Sequence, residues 1–216
     1  MKSTIFFLLF FVPYLLFAES DSTKIYFKYI ENEDLQTICD VADIQILKIA
    51  SYDTSLRGKV FNIVIREFTE GATTSEKDFG ISSEEKLDTV VIGQDTIVHL
   101  TDMAVLAGFG KESDSLVITF AGQLKDKIFK LLTRFAGISF GKELKGDPNY
   151  SLRAVNSNDD WARVSLKHRT PILAYTPPVD FGSGAGSYCM LSDANCEDWF
   201  AEFKVMHYYI IYLEMK

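Results

Sequence analysis

Short runs in which apolar and polar residues alternate make up most of the chain. One such run covers 60–68, where Phe61, Ile63 and Ile65 share one face and Asn62 lies on the other. A period of two over this length predicts a half-buried β-strand. Alternating or β-branched runs predict further strands over 25–29, 44–51, 115–121, 150–155, 161–167 and 171–175.

The final run, 200–215, is predicted to be the longest strand. Its odd positions are apolar apart from His207, whereas its even positions combine charged residues with Tyr208 and Tyr212. A strand with so long an apolar face usually lies in the middle of a sheet and not at a free edge. We therefore expect this strand to be central.

The middle of the chain has a different pattern. The polar segment 70–86 predicts a long loop with at most one helical turn. In 89–100, two β-branched runs flank a tight turn that has Gly93 at its first corner, which predicts a type II′ hairpin.

Helical periodicity occurs first in the segment 32–42. Asn32 can cap a helix there. Apolar side chains recur at i, i+3, i+4 and i+7, at Leu35, Ile38, Cys39 and Ala42. The spacing places Cys39 on the buried side of this helix, where it is expected to be a reduced core thiol.

The segment 122–136 predicts a second, longer helix. Gly137 can end it. On a helical wheel one arc is apolar, with Leu124, Ile128, Leu131, Leu132 and Phe135. The opposite arc is cationic, with Lys127, Lys130 and Arg134.

Together these elements predict an α+β fold that is predominantly antiparallel β with two or three helices. No internal repeat or linker divides the chain, so we expect a single compact domain over 21–216. The Pro- and Gly-rich stretch 177–186 is the only predicted seam.

The first twenty residues have the pattern of a secretory signal peptide. Lys2 is followed by an uncharged apolar run that ends at Ala18, too short for the roughly 20 residues that span a bilayer. Ala18, Glu19 and Ser20 place small residues at the usual spacing before a cut. We therefore expect residues 1–20 to be cleaved and the protein to be exported, either to a periplasm or out of the cell.

Composition narrows the possible partners. The net charge of −8 disfavours nucleic acid, whose phosphates would be repelled. An anionic membrane surface is also an unfavourable partner unless basic residues cluster locally. No later apolar stretch is long enough to span a membrane, and no motif indicates a cofactor.

The spacing of two cysteines is consistent with export. Cys189 and Cys196 lie seven residues apart in a polar segment, and in an oxidising compartment this spacing predicts a disulfide that closes a small loop. Their spacing is not that of a CxxC redox or zinc motif.

Candidate catalytic residues are few. His207 lies on the apolar face of its predicted strand, and Glu67 shares a face with Ile63 and Ile65, so both could be partly buried. If the two met, they would form a proton-transfer pair. The alternative is a buried histidine and carboxylate with structural roles.

Three sets of residues are candidates for binding. A cationic helix face is usually just exposed to water. The alternative is that Lys127, Lys130 and Arg134 bind an acidic partner or headgroup. Tyr208 and Tyr212 could contact a glycan if exposed. Oxygen ligands alternate at Asp193, Asn195 and Glu197, which allows a calcium site, although the glycine and distant glutamate of an EF-hand are missing.

The sequence favours an exported, non-catalytic binding domain, because no catalytic motif is evident. Its ligand could be a partner protein, a glycan or other envelope component, or a toxin that it neutralises. The alternative is a secreted hydrolase of envelope or dietary polymers, with Glu67 or His207 in a cleft. A row of exposed aromatic residues would favour glycan binding, and a Glu–His pair in a concave site would favour the hydrolase.

Overall fold

The structure is a computed structural model. It describes residues 21–53, 56, 61–79, 90–92, 96–98, 115–135, 138–157, 160–180, 186–188, 191 and 194–215. The predicted signal peptide, residues 1–20, lies outside the described residues.

Six strands form the larger of two antiparallel sheets. Their order across the sheet is β11-β1-β2-β7-β8-β9. The strands are β1 (Ser22–Lys28), β2 (Ile44–Ser51), β7 (Leu116–Lys125), β8 (Ile128–Phe135), β9 (Ile138–Lys145) and β11 (Trp161–Ser165).

Five strands form the second antiparallel sheet, in the order β10-β12-β15-β3-β4. The strands are β3 (Phe61–Thr69), β4 (Ala72–Phe79), β10 (Ser151–Ala154), β12 (Thr170–Thr176) and β15 (His207–Met215). The C-terminal strand is therefore central, as its apolar face predicts.

The remaining described elements are short. The described residues include two helices, α1 (Glu33–Val41) and α2 (Trp199–Phe203). Two small ladders pair β5 (Val90–Ile92) with β6 (Thr96–Val98) and β13 (Val179–Asp180) with β14 (Gly186–Ser187). The β5–β6 pairing confirms the hairpin predicted in 89–100.

The main core lies between the two sheets. Alternate residues of each strand point inward, for example Leu116, Ile118 and Phe120 in β7. The five-stranded sheet contributes the odd positions of β15, including Tyr209 and Ile211. Each sheet buries one apolar face in this way.

A second core covers the other face of the five-stranded sheet. It joins even-numbered residues of β15 to a cover made from the segment that precedes this strand. The cover includes Val179, Leu191, Cys196, Trp199 and Val205, and Trp199 is fully buried. β15 is therefore buried on both faces.

The predicted α+β class is wrong, because the described chain is mostly antiparallel sheet and has few helical residues. The largest error is the helix predicted over 122–136, which is instead the β7–β8 hairpin. Asp126 and Lys127 form its turn with φ of 52° and 64°, in the left-handed region.

The hairpin also explains why helical periodicity misled. Thr133 faces the core, whereas Leu132 is exposed on the outer face. A polar residue inside and an apolar one outside hide the period of two, and the apolar residues, Leu132 among them, then fit a helical arc.

Two smaller predictions are wrong in the same region of the five-stranded sheet. The segment 70–86, predicted as a loop, contains β4, which extends the sheet beyond β3. The predicted strand 200–215 begins with α2, and the left-handed residue Lys204 ends that helix before β15 starts.

The predicted helix 32–42 is confirmed as α1. The Asn32 side chain accepts a hydrogen bond from the Leu35 backbone N–H at 2.8 Å, which satisfies one free donor at the helix start. Cys39 is buried with a free thiol. Leu35 and Ile38 of the apolar stripe are exposed and Ala42 is half-buried, since α1 packs chiefly on the single strand β2.

Gly122 tests the hairpin, because the Phe129 ring occupies the space of its missing side chain. A Cβ at Gly122 would lie 2.1 Å from the Phe129 ring, and Phe129 is fully buried. We expect Gly122→Ala to lower the free energy of unfolding by about 1–3 kcal/mol, measured by urea denaturation.

Gly141 in the neighbouring strand β9 is the matched control. The nearest atom to a Cβ there is 4.0 Å away. Gly141→Ala should therefore leave stability within about 0.5 kcal/mol of the wild type. Equal losses in the two variants would contradict this packing account.

Candidate functional site

A polar cluster forms where β3 and β15 pair at one end of the main core. Glu67 lies directly opposite Tyr209 in the register, and His207 lies opposite Thr69. Because odd-numbered residues of β15 point inward, His207 and Tyr209 share the face of Glu67. The ladder between β3 and β4 is irregular at Glu67 and Phe68, a bulge that interrupts the regular pairing beside the cluster.

The Glu67 carboxylate accepts three hydrogen bonds. His207 Nε2 lies 3.0 Å from Oε1, and Tyr209 Oη donates to the same oxygen at 3.0 Å. Ser75 Oγ donates to Oε2 at 2.9 Å. The two residues that the sequence suggested as a proton-transfer pair therefore meet, and the pair is mostly shielded, with side-chain exposures of 18% and 22%.

These contacts keep Glu67 ionised. Partial burial by itself would raise the pKa of the Glu67 carboxyl. Hydrogen bonds from His207, Ser75 and Tyr209 outweigh burial, so the pKa lies below its usual value. A carboxylate with a lowered pKa is a weak base. Both oxygens of Glu67 also already accept hydrogen bonds from His207, Ser75 and Tyr209.

The cluster also joins the two sheets. The Lys145 backbone N–H in β9 donates to Tyr209 Oη at 2.9 Å. Tyr150, between β9 and β10, donates its hydroxyl to the His207 carbonyl at 3.0 Å and lies 3.2 Å from His207 Nδ1. Burial raises the pKa of Tyr150 to about 12, so its hydroxyl stays protonated and can donate.

A second link between the sheets comes from Gln45 in β2. Its side-chain amide donates to the Tyr150 carbonyl at 3.1 Å, and its oxygen accepts from the Leu152 N–H at 2.5 Å. With both ends bonded, Gln45 holds β10 against β2. The two links make this end of the sandwich a fixed platform.

A cleft of about 580 Å³ opens beside this platform. One wall is α1, with Gln36 and Asp40, and the floor is the start of β2. The other wall is the segment 148–153 with Tyr188. Three tyrosines line the cleft, namely Tyr29, Tyr150 and Tyr188.

Arg153 is the cation of the cleft. Its guanidinium carbon lies 4.1 Å from the centre of the Tyr188 ring. The Tyr188 hydroxyl donates to the Asn149 carbonyl at 2.6 Å, which fixes the ring. Among the described residues, no carboxylate lies within ion-pair distance of Arg153, so its hydrogen-bond donors are available to a ligand.

Comparisons with protein-family models, with curated proteins and with solved structures gave no match to this chain. Its function must therefore be argued from its own residues. None of the described helices is long and apolar enough to cross a membrane.

The predicted cationic helix face does not exist as such. Lys127 lies in the β7–β8 turn and pairs with Asp147 at 3.3 Å, and Lys130 in β8 lies 3.8 Å from Glu143. Arg134 follows on the same exposed face of β8 as Lys130. Lys130 and Arg134 belong to the outer face of the six-stranded sheet, whereas Lys127 lies in the turn at its end.

Tyr208 and Tyr212, suggested as glycan contacts, are buried in the second core. Tyr208 stacks on Phe68 with ring centres 4.9 Å apart. The Tyr212 hydroxyl donates to Glu197 Oε1 at 2.9 Å. The even face of β15 is covered, so neither ring can contact a ligand in this fold.

The calcium candidates are only partly described, because Asp193 lies outside the described residues. The amide of Asn195 donates to Asp198 at 2.8 Å, and Glu197 pairs with Arg66 at 3.2 Å. Within the described ranges, no group of three or more His, Cys, Asp and Glu residues could hold a metal ion.

The predicted disulfide stays a prediction. Cys196 is buried with a free thiol, and burial raises its pKa to about 12. Its predicted partner Cys189 lies outside the described residues.

Sequence reasoning found Glu67 and His207 but missed the cleft. Tyr29, Tyr150 and Tyr188 come from three distant segments that only the fold brings together. No local pattern marks them. The sole signal in the sequence was the general richness in tyrosine.

The cluster predicts a specific acid sensitivity. Because the folded-state pKa of Glu67 is lowered, its carboxylate stabilises the fold above the unfolded-state value near 4.5 and loses that effect as the pH falls through the folded-state value. Glu67→Gln should cost about 1–3 kcal/mol of unfolding free energy at about pH 7 and clearly less at about pH 3, measured by urea denaturation.

Glu143→Gln is the matched control, because Glu143 is exposed and has one weak ion pair. Its effect should stay within about 0.5 kcal/mol at either pH. A loss for Glu67→Gln that does not change with pH would refute the electrostatic role of the carboxylate.

Proposed function

We propose that the chain is an exported, non-catalytic binding domain whose ligand is an acidic saccharide held in the tyrosine cleft. The observation that carries this proposal is the placement of Arg153, stacked on Tyr188 and without a carboxylate partner in the described chain, in a cleft lined by three tyrosines. Export is proposed from the N-terminal sequence.

The size and chemistry of the cleft support a small polar ligand. A volume of about 580 Å³ is in the range of ordinary small-molecule sites. Tyrosine rings offer an apolar face to sugar C–H groups and a hydroxyl to sugar oxygens. Gln36, Asp40 and Asn149 add groups that can accept or donate hydrogen bonds to sugar hydroxyls.

Arg153 supports an acidic sugar over a neutral one. A planar guanidinium can hold a carboxylate through two parallel hydrogen bonds, and stacking on the Tyr188 ring keeps the Arg153 side chain oriented. Because Arg153 is partly shielded from water, an ion pair between its guanidinium and a carboxylate would be stronger than in bulk solvent.

The hydrolase alternative has one observation in its favour, the 3.0 Å contact of Glu67 with His207. The hydrogen bonds around that contact argue against it. Both oxygens of Glu67 accept from protein groups, and the lowered pKa disfavours protonation of an acid catalyst. We therefore assign the pair a structural role beneath the cleft.

Calorimetric titration with digalacturonate tests the proposal, with lactose as the neutral probe. We expect the wild type to bind digalacturonate more tightly than lactose. Arg153→Gln should weaken digalacturonate binding about 10- to 100-fold, because a charge-assisted pair is lost, and should change lactose binding little.

Arg163→Gln removes the same charge from a strand of the six-stranded sheet and is the matched control, with binding expected to equal that of the wild type. Failure of the wild type to bind digalacturonate would overturn the acidic-saccharide proposal, as would equal weakening by the two arginine variants. Cleavage of digalacturonate that Glu67→Gln abolishes would instead support the hydrolase.

A further inference from the structure

The outer face of the six-stranded sheet, which points away from the main core, is strongly basic. Alternation along the strands assigns the outward positions, and the burial patterns agree. We call this surface the basic face, and its Lys and Arg residues are Lys24, Lys28, Lys48, Lys125, Lys130, Arg134, Lys145 and Arg163. Among the described strand residues of this face, Glu143 is the one carboxylate.

Several of these cations stand directly opposite one another. Lys24 pairs in the register with Arg163, and Lys28 pairs with Lys48. Like charges in directly opposed positions destabilise a sheet. An anion bound across the strands would offset this repulsion, whereas folding alone gains nothing from it.

Most of the cations have no acidic partner. Lys130 has an ion pair with Glu143, at 3.8 Å and largely exposed to water. The ammonium of Lys24 lies over the Trp161 ring at 4.3 Å, and that of Lys28 donates to the Tyr52 hydroxyl at 2.6 Å. In the described part of the chain, the others have no carboxylate within 4.0 Å.

An apolar row crosses the same face. Ile46, Ala121 and Leu132 are neighbours in the register of β2, β7 and β8. Lys48 and Arg134 lie on one side of this row, on either side of Thr119. A face that combines apolar side chains with cations suits a partner such as a lipid membrane, in which acyl chains lie beneath anionic headgroups.

A groove extends the apolar row beneath α1. Its volume is about 360 Å³, and its lining is mainly apolar, from Tyr29, Ile30, Leu35 and Ile46. Lys28, Lys48 and Glu31 also line it. The groove therefore places two ammonium groups beside a space that fits a hydrocarbon chain.

Helix α1 itself exposes apolar side chains beside this groove. Leu35, Ile38 and Val41 are 46%, 61% and 83% exposed. An exposed aliphatic stripe costs free energy in water unless a partner covers it. Leu35 of this stripe lines the groove together with Ile46 of the apolar row, so one lipid surface would cover both residues.

We propose that the basic face is a peripheral membrane-binding surface for anionic phospholipid. Headgroup phosphates contact the opposed cations, and Leu35, Ile38 and Leu132 enter the interface between headgroups and acyl chains. The net charge of −8 does not decide this, because charges act locally within a Debye length of the surface. Glu31, Glu33 and Asp34 weaken the attraction at the start of α1, so the cations of the strands carry it. This site adjoins the saccharide cleft at α1, where Tyr29, Ile30 and Ile46 line both, but it does not use Arg153 and does not depend on saccharide binding.

The two tryptophans provide a direct test. Trp161 lies on the basic face, whereas Trp199 is fully buried on the far side of the five-stranded sheet. Vesicles of phosphatidylglycerol and phosphatidylcholine with brominated chains should quench Trp161 fluorescence. Vesicles of brominated phosphatidylcholine alone should not, and Trp161→Phe should abolish the quenching.

Paired substitutions test the charges. Lys48→Gln with Arg134→Gln should lower partitioning onto phosphatidylglycerol vesicles about 30-fold, because each adjacent basic residue contributes roughly fivefold. The control, Lys167→Gln with Lys204→Gln, carries the same net charge and should partition like the wild type. Both pairs are exposed, so thermal unfolding should confirm that the fold is intact.

Three results would overturn the proposal. The first is an absence of partitioning onto phosphatidylglycerol vesicles by the wild type. The second is equal loss in the two paired variants. The third is binding to heparin or inorganic phosphate without any to vesicles, which would assign the face to a soluble anion. Arg153→Gln should bind vesicles normally, so failure of the cleft proposal leaves this one intact.

Discussion

The rest of the fold depends on the burial of β15 on both of its faces. Tyr209, Ile211 and Leu213 point into the core between the sheets, while Tyr208 and Tyr212 point the other way. A strand with large side chains on both faces is stable only if both are covered. The six-stranded sheet covers one face, and the segment that ends in α2 covers the other. This requirement explains why other elements pack on both faces of the five-stranded sheet.

Polar groups at the end of this core obey a related constraint, because buried polar atoms must be hydrogen-bonded. Glu67, His207 and Tyr209 lie beside the first residues of β15. They hydrogen-bond to one another, and Tyr209 also accepts a hydrogen bond from the backbone of β9. Gln45 does the same between β2 and β10. The resulting rigidity holds the Tyr150 side of the neighbouring cleft in place. A residue pair that resembles catalytic machinery thus supports one wall of the proposed binding cleft.

Charge is distributed unevenly over this acidic chain. Cations collect on the outer face of the six-stranded sheet, while Arg153 stands alone in the cleft. The two proposed sites meet at α1, since Tyr29, Ile30 and Ile46 line both the cleft and the groove. A domain that rests on an anionic lipid surface would hold the cleft near that surface, where acidic saccharides of an envelope would be within reach.

The sequence by itself determined the local elements whose patterns are unambiguous. It predicted the Asn32-capped helix, most of the strands, the central position of the C-terminal strand and the shared face of Glu67 with its neighbours. It failed at 122–136, where Thr133 inside and Leu132 outside disguise a hairpin, and where Gly122 makes room for Phe129. Only the tertiary structure decided which residues meet across distant strands, including the Glu67–His207 contact, the three tyrosines of the cleft and the opposed cations. The physical reason is that local periodicity reports which face of an element is apolar, whereas strand order and register, set by packing of the whole core, decide what each face touches.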